Sequence, residues 1–161
     1  MESSMRLELI HPLLVHFPIA LLFTGIFFRL AGFAFRHKPR LSFLLPASWA
    51  ILGLGIIAAW LAVTAGEVAK EIVEPTLIKL SVLERHSKYA YLTAAGFSFT
   101  FLLDIGKAFF YRRARKKGWW MKWGFTTLIV LLYVINLTNL VATGGYGAGL
   151  VYEQGAAVNC P

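Results

Sequence analysis

The run HPLLVHFPIALLFTGIFFRLAGFAF, residues 11–35, decides the fold class of this chain. Arg29 is its only Lys, Arg, Asp or Glu over 25 residues. About 20 consecutive apolar residues are enough for an α-helix to cross the hydrocarbon core of a bilayer. The run therefore predicts a membrane-spanning helix.

Three more apolar runs of spanning length follow at about residues 41–65, 86–111 and 119–143. The 161 residues are 58% hydrophobic and 15% charged, whereas a soluble domain has about 25% charged residues. The sequence thus predicts an all-α fold, a single membrane domain over residues 1–161 built as a four-transmembrane-helix bundle. No internal repeat is visible in the sequence.

Two segments outside the runs carry further predictions. Residues 66–85 alternate apolar and charged side chains, which is typical of a short amphipathic helix lying on the membrane surface. The tail of residues 144–161 begins with four glycines in six positions, at 144, 145, 147 and 149. Glycine is a poor helix former, so the tail is expected to leave the bilayer at the surface.

The basic residues are distributed by loop. Of the 16 Lys and Arg residues, ten lie between the first and second runs or around the turn between the third and fourth. By the positive-inside rule those loops are cytoplasmic, so both termini lie outside. Trp119, Trp120 and Trp123 fit an interfacial belt beside the second basic loop. The net charge of +8 is therefore an indicator of topology and of lipid contact, with no role in binding nucleic acid.

Three of the four histidines, His11, His16 and His86, fall at the outer ends of the first and third runs, and His37 lies in a basic loop. Histidine is the axial ligand of b-type haem. His16 and His86 are at comparable depth and form the first-choice axial pair. His11 lies about 140° around the helix from His16, which makes it a substitute ligand, a propionate partner or part of a second site.

Other polar and small residues in the spans support this site or the scaffold. Ala90, one turn after His86, leaves room for a macrocycle or merely lets helices pack closely. Asn136 and Asn139 are expected either to support an imidazole by hydrogen bonding or to bond between helices. Arg29 and Asp104 each lie 18 residues after a histidine, so they are predicted to reach the same depth and form an ion pair.

The opening segment, His11-Pro-Leu-Leu-Val-His16-Phe-Pro-Ile-Ala, resembles the first motif of the DUF2231 family of predicted four-helix membrane proteins. Residues 144–158 are similar to the closing segment of that family, and His86 matches its third histidine. The resemblance implies a cytochrome b-like protein associated with redox chemistry. Gln154 stands where many relatives carry a histidine, which removes one potential ligand.

Three functional hypotheses follow. The first is an electron-transfer subunit of the bacterial cytoplasmic membrane that holds haem b near the periplasmic face and exchanges electrons with a quinone or a periplasmic redox protein. The second is a cofactor-free accessory subunit of a larger respiratory or photosynthetic complex. The third is an outer-face metal site formed by His11, His16, Glu67 and His86. Cys160 has no partner cysteine in the chain, and no motif of a hydrolase or a transferase is present, which favours a subunit over a stand-alone enzyme.

Overall fold

The computed structural model describes residues 9–113 and 119–156. One short helical segment and four long helices lie in these ranges: α1 (Ile10–Leu14), α2 (His16–Ala34), α3 (Leu44–Val73), α4 (Leu80–Arg113) and α5 (Trp119–Tyr152). Single 3-10 turns at Pro39–Leu41 and Glu74–Thr76 lie on either side of α3. No strand occurs in these two ranges.

Four helical stretches are long and apolar enough to cross a membrane: Ile10–Ala34, Pro39–Thr76, Leu80–Phe110 and Trp123–Tyr152. The predicted all-α bundle of four membrane-spanning helices is therefore confirmed. Each stretch shows mostly apolar side chains on its outside, such as Phe27, Leu102 and Leu131, which are more than half exposed. Such a surface is stable in lipid rather than in water.

The helices pack as two hairpins. The first hairpin (residues 10–73) joins α1 and α2 to α3, and the second hairpin (residues 80–152) joins α4 to α5. The two hairpins meet around a shared core in which Leu22, Leu52, Phe97 and Tyr133 are at most 1% exposed. α2 and α4 run in the same direction. His11 and His16, at the start of the first spanning stretch, and His86, near the start of α4, therefore lie at the same end of the bundle.

The opposite end of the bundle is held by the predicted ion pair. Arg29 donates from Nη2 to Asp104 Oδ1, with both side chains buried, so this prediction is confirmed. Asp104 also accepts a hydrogen bond of 3.0 Å from Trp49 Nε1, and Lys107 Nζ lies 3.6 Å from its Oδ1. The Arg29 guanidinium lies 5.0 Å from the ring centre of Phe33. We call this region the ion-pair end and the opposite region, with His11 and His86, the histidine end.

The predicted surface helix over residues 66–85 is wrong as a separate element. α3 continues to Val73 and α4 already begins at Leu80, with one 3-10 turn between them. Pro75 lies in that turn, where its fixed backbone angle suits a sharp reversal. The charged residues of the segment therefore belong to the last turns of α3, the short connection and the first two turns of α4.

The predicted exit of the chain at Gly144 is also wrong. α5 passes through all four glycines and ends at Tyr152. Packing against α4 compensates for their low helix propensity: Tyr146 stacks on Tyr89 with ring centres 5.5 Å apart, and Leu150 is buried against Leu83. The side chains of residues 111–122, which include Trp119, Trp120 and most of the second basic loop, lie outside the described residues, as does Cys160. Trp123 is described, and the Arg36 guanidinium lies 4.4 Å from its ring centre.

Candidate functional site

His11 is fixed against the second helix of its own hairpin. Its Nδ1 lies 2.8 Å from the backbone carbonyl oxygen of Ala62 in α3. In an α-helix the carbonyl of residue i points toward residue i+4, which here is Gly66. A Cβ on Gly66 would come 3.0 Å from Cε1 and 3.1 Å from Nδ1 of His11. The absent side chain at Gly66 therefore gives the imidazole access to the carbonyl.

His86 is fixed in the same way in the second hairpin. Its Nδ1 lies 2.9 Å from the carbonyl oxygen of Thr143 in α5, and residue i+4 from Thr143 is Gly147. A Cβ on Gly147 would come 3.0 Å from Cε1 and 3.2 Å from Nδ1 of His86. Each histidine thus bonds to a helix carbonyl that is accessible because the residue one turn further along that helix is glycine.

These hydrogen bonds determine which ring nitrogen carries the proton. A carbonyl oxygen can only accept, so Nδ1 of His11 and of His86 must each be the donor. The neutral imidazole then has its lone pair on Nε2. Metal-binding histidines show this pattern, since the nitrogen that does not bind metal donates to a carbonyl or carboxylate.

The two rings meet between the hairpins. Their centres are 5.9 Å apart and their planes are nearly perpendicular, at 86°. The structure thus brings His86 into ring contact with His11, whereas His16 was the first choice from the sequence. His16 is exposed and its Nδ1 lies 2.8 Å from the carbonyl oxygen of Pro12 in the preceding turn.

A cavity of about 450 Å³ adjoins the histidines and is lined by residues of all four spanning stretches. Its volume lies within the roughly 300–1,000 Å³ of typical ligand pockets. All three histidines and the predicted Ala90 line it, and most of the remaining wall is small or aliphatic. Lys70 is the only Lys or Arg among the described residues of this wall.

Few polar groups other than the histidines face this cavity. Glu67 Oε1 accepts a hydrogen bond of 3.3 Å from Ser87 Oγ, which joins α3 to α4 at the wall. Thr93 and Thr143 lie across the α4–α5 interface with their hydroxyl oxygens 3.3 Å apart. The cavity therefore suits a largely apolar ligand with a few polar atoms.

The two predicted asparagines are not part of this wall. Asn136 is buried deeper in the bundle, and its Nδ2 donates to Thr100 Oγ1 at 2.9 Å. Its amide thus makes the interhelical bond that was one of the two predicted roles. Asn139 accepts a bond of 2.9 Å from Thr143 Oγ1 through its backbone carbonyl, and it does not line the cavity either. The prediction for these two asparagines uses only their depth along the helix, which does not determine which side of the helix each side chain faces.

The described residues hold no group of three or more His, Cys, Asp or Glu side chains that could bind a metal ion. The predicted cluster of His11, His16, Glu67 and His86 therefore does not come together as an ion site in this part of the chain. Haem needs only axial ligands from the protein, since the porphyrin supplies the other four nitrogens.

Sequence reasoning missed the four residues that orient the rings: Ala62, Gly66, Thr143 and Gly147. The available indication was a pair of glycines in long helices, since a glycine inside a helix usually serves a packing or functional purpose. In the second hairpin, the low helix propensity of the glycines at 144, 145, 147 and 149 instead predicts the end of the helix.

Comparison with known proteins places these features in one family. A family profile described as "Predicted membrane protein (DUF2231)" matches residues 8–159, which is nearly the whole chain. The match covers both histidines, both carbonyl acceptors and both glycines of the site. No curated protein and no solved structure matched the chain.

Proposed function

Since this chain belongs to the DUF2231 family of predicted membrane proteins, whose activity the family description leaves open, we propose from the site itself that it is an electron-transfer subunit holding haem b. The observation that carries the proposal is the pair His11 and His86, whose rings are 5.9 Å apart and whose Nδ1 atoms both bond to carbonyls. Both Nε2 lone pairs are thereby left unused within the protein, and these two residues would hold the haem iron.

The placement of the pair suits two ligands to one group. His11 and His86 come from different hairpins, and both line the cavity with their ring centres 5.9 Å apart. These two residues would hold haem iron through Nε2, since each Nδ1 already donates to a carbonyl. The two rings touch each other edge to face, so the pair would have to separate to admit the group.

The surroundings of the pair also fit a haem. The cavity wall is apolar and small beside the rings, which matches the flat hydrocarbon faces of a porphyrin. Lys70 is placed at the wall to pair with a propionate. Haem b supplies a centre that takes up and releases one electron at a time.

The residues of this chain have three tasks in that function. The carbonyls of Ala62 and Thr143 hold the Nδ1 protons, which fixes the ring orientation and makes each Nε2 a better donor to a metal. The apolar wall excludes water and lowers the local dielectric, which are two of the factors that set a haem potential. The buried Arg29 and Asp104 pair keeps the two hairpins together at the other end.

The distribution of charge supports an orientation for this subunit. The first basic loop and Lys107 adjoin the ion-pair end, and from the positive-inside rule we infer that this end faces the cytoplasm of a bacterial cell. The histidine end then lies near the periplasmic face, with both termini outside. In this position the subunit would exchange electrons with a membrane quinone or a periplasmic redox protein, within a larger complex embedded in lipid.

A second candidate, a cofactor-free accessory subunit of a respiratory or photosynthetic complex, is favoured by a different aspect of the same pair. Both imidazoles already have one hydrogen bond and a ring contact with each other, as structural histidines do. In that function the pair joins the two hairpins and the apolar exterior binds partner helices.

Haem binding distinguishes the two candidates. The protein purified in detergent is titrated with haem b and followed by the reduced-minus-oxidised absorption difference. We expect one haem per chain in the native protein. H11A and H86A should each weaken binding by more than the roughly 10–100-fold that loss of a supporting hydrogen bond produces.

H16A is the matched control, because His16 is a cavity histidine of the same helical stretch that makes no ring contact with His86. It should bind haem within about twofold of the native protein, as expected for a substitution outside the ligand set. Loss of haem in H16A with retention in H11A would instead make His16 the ligand. No haem spectrum in the native protein, together with stoichiometric partner subunits, would establish the accessory function.

A further inference from the structure

The two hairpins repeat one another in register. His11 and His86 are 75 positions apart, as are Arg29 and Asp104 in the same two helices. In the returning helices, Ala62 and Thr143 are 81 positions apart, as are Gly66 and Gly147. Each hairpin therefore carries the same three elements: a histidine near its start, a helix carbonyl that accepts a hydrogen bond from the Nδ1 of that histidine, and a glycine one turn after the carbonyl.

The buried positions follow the same two offsets. In α2 and α4 the pairs in which both residues are buried are Pro18 and Thr93, Leu22 and Phe97, Gly25 and Thr100, and Arg29 and Asp104. In α3 and α5 they are Ser48 and Ile129, Leu52 and Tyr133, Gly55 and Asn136, Ala59 and Leu140, and Ala69 and Leu150. Because buried residues recur with the helical period, several offsets would align the buried faces of two helices. The histidine pair and the glycine pair select the offsets of 75 and 81. The paired residues rarely share identity, which is why no repeat is visible in the sequence.

The repeat relates the hairpins by an approximate two-fold axis along the bundle. Both hairpins run in the same direction, because each begins at the histidine end. In a two-fold arrangement a residue touches its own equivalent only close to the axis. His11 touches His86 and Arg29 touches Asp104, so these two pairs mark the axis at opposite ends of the molecule.

We propose that the histidine site consists of two equivalent half-sites on this axis, and that Gly66 and Gly147 are its positioning residues. Each glycine leaves one helix carbonyl open to an imidazole, and a Cβ at either position would meet that ring at 3.0 Å. This inference rests on the proposed haem site for its ligand. It adds that the ligand is held on the axis with equal contributions from both hairpins.

The test replaces each glycine by alanine, with a glycine of the same helix as the control. G66A is compared with G53A, where a Cβ would lie 3.5 Å from the Phe101 ring, which is ordinary contact. G147A is compared with G145A, where a Cβ would meet nothing within 4 Å. All four substitutions favour helix equally, so a difference within each pair reports the contact with the histidine.

Two readouts separate this inference from the haem proposal. The first is haem affinity: G66A and G147A should each lose about tenfold and agree with one another within about threefold, whereas both controls stay within about twofold. The second uses the haem-free protein and nitrogen-15 NMR of the imidazoles. G66A should change the Nδ1-protonated signature of His11, and G147A that of His86.

The outcomes are distinct. If the native protein binds no haem but each alanine disturbs its own histidine in the NMR spectra, the half-sites stand and the haem function fails. If haem binds and G66A and G147A behave like G53A and G145A in both readouts, the glycines do not position the rings. If only one of the two alanines has an effect, the half-sites are not equivalent and the inference is overturned.

Discussion

At the ion-pair end, equivalent residues of the two hairpins carry opposite charges and join directly, whereas at the histidine end they carry the same imidazole and adjoin a cavity. Arg29 and Asp104 neutralise each other, and Trp49 satisfies the second carboxylate oxygen. His11 and His86 satisfy only their Nδ1 atoms, each on its own hairpin. Both Nε2 atoms are acceptors and cannot bond to one another, which leaves them for the ligand of the proposed function.

This difference assigns a role to each end. Polar groups within a membrane span are costly and are retained for structure or for function. The ion-pair end is stabilising because its charges are paired inside the protein. In the proposed function the histidine end is the binding site, because His11 and His86 line a cavity of about 450 Å³. The two ends should therefore respond differently to loss of a side chain.

The largest effect is expected from D104A. It leaves the Arg29 guanidinium buried without its carboxylate, and breaking a buried pair in this way costs about 3–5 kcal/mol. The free energy of unfolding in detergent, measured by denaturant titration, reports the loss. E84A in the same helix is the control, because Glu84 is exposed.

The double variant R29L/D104L separates charge from packing. Replacement of both partners by apolar groups is often neutral, so it should recover part of the stability that D104A loses, while Lys107 still lacks its carboxylate. A double variant as unstable as D104A would mean that shape or the unpaired Lys107, rather than the Arg29 charge, dominates at this end.

H86A should have a smaller effect on the haem-free protein. It removes one hydrogen bond to Thr143 and a ring contact, for a loss of about 1 kcal/mol in the same unfolding measurement. H11A should match it within about 0.5 kcal/mol, because its half-site has the same bonds. If H86A were as destabilising as D104A, the histidine end would stabilise the fold as strongly as the ion-pair end, and the proposed difference in role between the two ends would be wrong.

The ion-pair end could be predicted from the sequence, whereas the histidine pair could not. A count of 18 residues from each histidine, with the rise of a regular helix, was enough to bring Arg29 and Asp104 to one depth. Depth alone could not choose between His11 and His16, because the choice depends on which carbonyl is open. That depends on Gly66 and Gly147, which act through a partner helix rather than through their own propensity.

The same limitation explains the errors in the helix ends. The glycines at 144, 145, 147 and 149 predict a helix terminus by propensity, yet Gly147 is needed inside α5 to accommodate His86. The charged residues after Ala65 predict a membrane boundary there, yet Lys70 lies in α3 and lines the cavity. In both places tertiary contacts override a local pattern.

The smallest effect is expected from Y133F, which tests a polar group near the ion-pair end that has no role in pairing. Tyr133 is 1% exposed, and its hydroxyl has no hydrogen-bond partner among the described residues. Its equivalent in the first hairpin is the apolar Leu52, so the position itself does not need a hydroxyl. Because an unsatisfied buried hydroxyl is costly, Y133F should leave the free energy of unfolding unchanged or raise it by up to about 1 kcal/mol.

T100V is the matched control for Y133F, since it removes a hydroxyl from the same α4–α5 interface that does have a partner. Thr100 Oγ1 accepts the bond from Asn136 and donates to the carbonyl of Gly96 at 2.8 Å, so its loss should cost about 1–2 kcal/mol. The comparison isolates hydrogen bonding, because both substitutions nearly preserve side-chain volume. If Y133F destabilised the protein as much as T100V, the Tyr133 hydroxyl would have a partner such as a buried water, and the ion-pair end would extend to α5 through it.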